Sequence, residues 1–141
     1  IQEETVGQLH LYRYLPQGRL DAVAVQFTGQ GLWGDIQGYL ALEPDLRTIR
    51  GIVFTQQEET PGLGGEIDSE KYFRAQWKNK RIHPQSGIVV QMPPAQATGD
   101  NEVAGITGAT KTSEAVEKMV NRVAMEILQM PREERNSRDD D

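Results

Sequence analysis

The 141-residue sequence contains no cysteine and only two histidines. Without thiols there can be no disulfide, thiolate metal site, iron–sulfur ligation or cysteine nucleophile. His10 and His83 lie far apart without ligand-like spacing, so neither reads as a metal ligand or catalytic base. No apolar run approaches the roughly 20 residues needed to span a bilayer, and no secretory signal is present. Beginning at Ile1 rather than Met, the chain reads as a processed or trimmed fragment from which an anchor or signal has been removed. The 15 Lys and Arg are outnumbered by 21 Asp and Glu, for a net charge of −6, and they form no stripe, so nucleic acid is not an expected partner. Also missing are a nicotinamide-binding glycine-rich turn and any acid/base pair. Glu58 and Glu59 are adjacent, which does not define one, so an autonomous catalyst is not expected.

The alternation that is present predicts strands over residues 8–15, 22–27, 33–42 and 48–55, separated by short turns. A break is expected at Thr28 to Gly31. Ser69 is a candidate N-cap for a short helix over 69–78, with Tyr72, Phe73, Gln76 and Trp77 at helical spacing. A further strand is expected over 88–92, then a polar loop over 93–102. Val116, Met119, Val120, Val123, Ala124, Ile127 and Leu128 keep the i, i+3, i+4, i+7 rule and predict an amphipathic helix over 113–130, stopped by Pro131. The charged segment 132–141 has no apolar residue and is expected to be disordered. The fold class is therefore α+β: an antiparallel β-meander sheet packed against a C-terminal amphipathic helix and a shorter helix. Residues 1–130 read as one domain and 131–141 as its tail.

Residues Thr107-Gly108-Ala109-Thr110-Lys111-Thr112-Ser113 combine small residues with four hydroxyls just before that helix. One reading is a helix cap in which Thr112 or Ser113 accepts a backbone N–H. The other is a phosphate cradle. Free N–H groups and the positive dipole end favour an anion, Gly108 allows close approach, and Thr110 presents an oxygen that can carry a phosphate ester. In Glu59-Thr60-Pro61-Gly62-Leu63-Gly64, Pro61 and Gly62 suit positions i+1 and i+2 of a type II turn. Leu63 is an apolar residue that a simple turn would not need; a planar ligand could rest on it while Thr60 donates to a ring acceptor. In Gly31-Leu32-Trp33-Gly34, Trp33 is either a packing anchor or a pocket wall. Trp77 and Lys78 set an indole beside a cation, or simply end a helix favourably for its dipole.

These three motifs, in this order, resemble the FMN-binding domain of the NqrC subunit of the sodium-translocating NADH:quinone reductase, a domain shared with a subunit of the related Rnf complex. Gly38-Tyr39-Leu40-Ala41-Leu42-Glu43, Gly51-Ile52-Val53-Phe54 and Phe73-Arg74-Ala75-Gln76-Trp77 extend the likeness, which runs from about Thr28 to Val123. Gln57 resembles the quinone-reductase branch. The resemblance implies FMN joined through its phosphate to the last threonine of the S/T-G-A-T motif, here Thr110. A separate flavin transferase would supply it from FAD. It also implies single-electron transfer among subunits of a membrane redox complex, and a place on the extracytoplasmic face of the bacterial inner membrane, anchored by an N-terminal helix that these residues lack.

The cofactor-binding set expected from motifs and resemblance together is Thr107, Gly108, Ala109, Thr110, Lys111, Thr112, Ser113, Glu59, Thr60, Gly62, Leu63, Gly64, Trp33, Trp77 and Lys78. One departure stands out. The family pattern places an acidic residue three positions before Thr107, and here that residue is Ala104, with Asp100 and Glu102 out of register. Non-covalent FMN binding in the same pocket is therefore a second reading. A flavin-free interaction module with an acidic surface is a third.

Overall fold

The computed structural model describes residues 1–130, so the expected tail lies outside the described residues. Five strands form an antiparallel meander in sequence order: β1 (Gln2–Val6), β2 (Leu9–Tyr14), β3 (Ala22–Gln30), β4 (Asp35–Leu42) and β5 (Ile49–Gln56). Register follows the period-2 pattern. Leu11, Val25, Leu40 and Ile52 are cross-strand neighbours on the buried face, while Tyr12, Ala24, Ala41 and Gly51 share the other. Two shorter strands, β6 (Val89–Gln91) and β7 (Glu102–Ala104), pair in parallel. The helix α1 (Thr110–Ile127) lays Val116, Met119, Val120, Val123, Ala124 and Ile127 on the core. It approaches the sheet closely at Gly29 on β3, where a side chain would meet Met119 at 2.9 Å. An antiparallel sheet with one face under a helix is the expected α+β arrangement.

The differences from the sequence reading have local causes. β1 is absent from that reading because its residues are mostly polar and none is fully buried, leaving no alternation to read. β3 continues past the expected break to Gln30, which pairs with Asp35, and the chain reverses through Gly31 N–H to Gly34 carbonyl at 2.8 Å. Within the expected polar loop and just beyond it, Glu102 to Ala104 form β7, and the Glu102 carboxylate holds the loop by accepting from Thr98 and Gly99 N–H at 2.8 Å each.

The expected helix over 69–78 is replaced by turns and a short 3-10 segment, Arg74–Trp77. Ser69 does accept from Tyr72 N–H at 3.3 Å, as a cap would. Tertiary bonds then override the α ladder. Arg74 Nε donates to the Ile52 carbonyl at 2.9 Å, which covers the edge of β5. The Gln76 amide donates to Ala104 carbonyl at 3.3 Å and accepts Ala104 N–H at 2.9 Å, which covers the edge of β7. On the other side of the small sheet, Asn121 of α1 brackets Ile88 in the same way, at 2.9 and 2.8 Å. Side-chain amides thus stand in for missing strands and satisfy exposed backbone groups.

Phe27, Phe54, Phe73 and Trp77 form a continuous aromatic series through the core, with centroid spacings of 5.6, 6.4 and 5.8 Å. Gly38 makes room for it: a methyl there would lie 2.5 Å from Phe27 Cζ and closer still to the Val53 carbonyl. Backbone cannot retreat as a flexible side chain can, so Gly38→Ala is expected to destabilise the fold by about 2–3 kcal/mol. Thermal or urea unfolding checks this, and an unchanged midpoint would contradict the packing.

Candidate cofactor site

The site is built around one carboxylate. Glu59 is only 4% exposed. Its Oε1 accepts from Leu32 N–H at 2.8 Å and from the Thr112 hydroxyl at 2.7 Å, and its Oε2 accepts from Trp33 N–H at 3.0 Å. The residue's own N–H donates to Gln57 Oε1 at 2.9 Å. This single side chain therefore ties together the Gly31–Gly34 turn, the Glu59–Gly64 loop and the start of α1. Two glycines make the approach possible. A side chain on Gly31 would meet Glu59 Oε1 at 2.9 Å, and one on Gly64 would meet Thr112 Oγ1 at 2.5 Å. Burial alone would raise the pKa of Glu59, but the bonds from Thr112, Trp33 and Leu32 outweigh it and hold the carboxyl below the ordinary glutamate range.

Two tight turns meet beside this carboxylate. Leu63 N–H donates to the Thr60 carbonyl at 3.0 Å with Gly62 at φ +81°, the type II turn expected of Pro61-Gly62. Ala109 N–H donates to the Ile106 carbonyl at 2.9 Å with Gly108 also at φ +81°, a second turn of the same kind. The turns touch: a methyl on Gly108 would lie 3.2 Å from Leu63 Cδ2. Glycine is needed at both positions for its left-handed φ, and at Gly108 for the contact as well.

The four hydroxyls of the motif divide into two pairs. Thr112 and Ser113 are buried, at 2% and 0% exposure. Neither caps the helix. Ala109 is the N-cap residue and makes no side-chain cap bond, so α1 begins three residues earlier than expected. Thr112 bonds Glu59 instead. Ser113 Oγ donates to Ala109 carbonyl at 2.8 Å and accepts Ile106 N–H at 3.0 Å, which pins the turn from below. Thr107 and Thr110 are exposed, as are Gly108 and Lys111. Among the described residues, the N–H groups of Thr110, Lys111 and Thr112 have no hydrogen-bond acceptor. The helix thus opens with free donors and an exposed hydroxyl at its first residue.

Beside this polar cradle stand apolar surfaces. Leu32, Trp33 and Leu63 are 51%, 66% and 44% exposed, although all three sit on segments that Glu59 fastens. Free donors for a phosphate next to exposed apolar side chains suit a ligand with an anionic end and a flat apolar ring system. The family model of the FMN-binding domain matches residues 31–125, the stretch that contains all three motifs.

The chain belongs to the FMN-binding domain family.

The NqrC subunit of the Na(+)-translocating NADH-quinone reductase from Pseudomonas aeruginosa is 38% identical over 117 residues, covering 79% of this chain and 44% of that protein. Its Yersinia pestis counterpart is 36% identical over 107 residues, covering 74% and 40%. This FMN-binding domain spans less than half the length of those curated relatives. Among solved structures, the same subunit from Parabacteroides distasonis matches with a TM-score of 0.74 at 30% identity, over 87% of this chain and 64% of that one. Shewanella oneidensis NqrC matches with 0.69 at 26% identity, over 86% and 61%.

Within this FMN-binding domain the structure gathers most of the expected residues. Glu59, Thr60, Gly62, Leu63 and Gly64 share one loop, which meets Gly108 and Thr112 directly, and Trp33 joins them through Glu59. Thr107, Ala109, Thr110, Lys111 and Ser113 follow on the same turn and helix start. Trp77 and Lys78 do not form the expected exposed pair. Trp77 is 0% exposed and packs on Phe73, while Lys78 faces solvent beside Arg74 and Arg50. Apolar burial of the indole outweighs any helical surface position. Leu32 and Gln57 belong to the site although the motif reading does not select them as cofactor-binding residues. The available signal for Leu32 is an apolar side chain between glycines; no local pattern gives Gln57 its bond to Glu59.

Removing the donor by Thr112→Val is expected to cost about 1–3 kcal/mol, because Glu59 stays buried with one partner fewer. Urea unfolding measures that loss. For pH, a folded-state pKa below the unfolded one means a contribution present above the unfolded value and lost as pH falls through the folded one. The stability gap between wild type and Glu59→Gln should be steady from about pH 6 to 8 and narrow below about pH 4.3. Thermal unfolding across pH measures it; a gap that grows on acidification would contradict the assignment.

Proposed function

We propose that the chain is the flavin-carrying electron-transfer domain of a membrane redox complex, with FMN joined by a phosphoester to Thr110. The observation that carries this reading is the division of the hydroxyls. Thr112 and Ser113 are buried and engaged, whereas Thr110 is exposed at the first residue of α1, next to N–H groups without acceptors. Thr107 is also exposed but precedes the turn rather than opening the helix. In maturation, Thr110 Oγ would form a bond to the FMN phosphorus of FAD. The pyrophosphate linkage breaks, AMP leaves and the hydroxyl proton is released, with a flavin transferase catalysing the exchange.

The residues then have distinct tasks. The N–H groups of Thr110, Lys111 and Thr112 hold phosphate oxygens, and Gly108 keeps the backbone close. Trp33, Leu63 and Leu32 offer apolar contact to the ring system and exclude water from it, and Thr60 supplies a hydroxyl at its rim. Bound FMN supplies the redox chemistry; the protein positions it and tunes its surroundings. Electron donors and acceptors are other subunits of the complex. The domain works on the extracytoplasmic face, held by a transmembrane segment outside these residues. Among the described residues, no helix is long and apolar enough to cross a membrane.

Ala104 favours a second reading, FMN held in the same pocket without a bond. Its place lacks the acid of the family pattern, and its backbone is clamped by Gln76.

Intact mass separates the two. Co-expression with a flavin transferase is expected to add the mass of one FMN less one water, with in-gel flavin fluorescence. Thr110→Ala should lose both. An adduct that survives this change moves the site to Thr107. The absence of any adduct on wild type, with yellow colour lost on denaturation, would establish the non-covalent reading instead.

A further inference from the structure

The phosphate-ready end of α1 is not electrostatically empty. The Glu59 carboxylate already occupies its positive side, bonded to the third residue of the helix, Thr112, at 2.7 Å. It is 4% exposed, with both oxygens engaged, so water screens it poorly. The nearest cation in sequence, Lys111, is solvent-exposed and well screened, and Glu58, close to Gly34, adds a further exposed negative charge. A phosphate arriving at Thr110 therefore meets favourable N–H groups and an unfavourable fixed charge together.

Free and linked flavin phosphates differ in the charge they bring. A phosphomonoester such as free FMN carries about −1.5 to −2 near pH 7. Once esterified to a threonine, the phosphate is a diester with one ionisable oxygen and a single negative charge. A buried anion beside the cradle penalises the first more than the second.

We propose that Glu59 is a selectivity charge: it repels free FMN from the cradle and tolerates the singly charged phosphodiester, so that the site keeps flavin only as the linked group. The proposal rests on the flavin-binding reading above. Glu59 acts here through its field rather than by touching the reacting atoms, so it is a positioning and specificity residue, not a catalytic one.

The test uses the 141-residue chain made without a transferase, titrated with FMN and, separately, with riboflavin, which has the same ring and no phosphate. Quenching of flavin fluorescence reports binding. Wild type is expected to bind riboflavin at least as tightly as FMN. Glu59→Gln, which retains an acceptor oxygen, should bind FMN roughly tenfold more tightly than wild type, with riboflavin unchanged. A merely structural role would move both ligands together, and that result overturns the proposal. So does wild type binding FMN tenfold or more tightly than riboflavin, a comparison that needs no variant to fold. Thr112→Val, which loosens the carboxylate but keeps its charge, should leave FMN binding weak; a gain equal to that of Glu59→Gln would count against a charge effect. Failure of the underlying reading looks different: wild type then takes up neither flavin in titration and gains no mass with the transferase.

Discussion

The buried carboxylate of Glu59 is the constraint on which the rest of the site depends. Three segments far apart in sequence, a turn near residue 32, a loop near residue 60 and a helix start near residue 110, have no shared strand ladder to align them. They are aligned because the loop carries the carboxylate and the other two supply donors to its oxygens. An ionised group buried this deeply is tolerable only when its lone pairs are met, and here backbone N–H groups and a hydroxyl meet them. The requirement runs both ways. The carboxylate needs those donors, and the donors can reach it only because Gly31 and Gly64 carry no side chain.

From that junction the architecture follows outward. The α1 helix must begin where Thr112 can reach Glu59, which places Thr110 at the exposed first position and leaves Ala109 as an uncapped entry. Ser113 closes the Ile106–Ala109 turn by bonding both of its ends. The remaining turns of α1 are held against β3 by apolar packing at Met119 over Gly29, and against β6 by Asn121 and Glu117, which bond Ile88 and Val90. Polar side chains at the rim and apolar ones at the centre thus orient one helix in two ways. The rigid scaffold leaves two exposed apolar groups, Trp33 and Leu32, at the mouth of the cradle. Exposure of such groups on a small acidic domain is costly unless something uses them.

Much of this is legible in the residues alone. The meander and the long helix are written in their periodicities, and both glycine turns in their residue types, since only glycine takes φ near +81° without strain. What cannot be read has a common cause. β1 and β7 lack apolar alternation and exist because a neighbour pairs with them. The segment around Arg74 has helical spacing, yet Arg74 and Gln76 bond strand edges instead of extending a ladder. Trp77 shares that spacing but is drawn into the aromatic core.

The motif before α1 shows where local pattern ends and tertiary structure begins. Residue order alone dictates that small residues and hydroxyls precede an amphipathic helix, and that this motif travels with two others in the order found in FMN-binding domains. It offers little to tell the four hydroxyls apart, and its simplest expectation for Thr112 and Ser113 is a cap. The folded chain separates them, burying and engaging these two while Thr107 and Thr110 face solvent. A hydroxyl's partner is set by what the chain brings within hydrogen-bond reach. For Thr112 that partner lies 53 residues away, at Glu59, beyond anything a local spacing can encode.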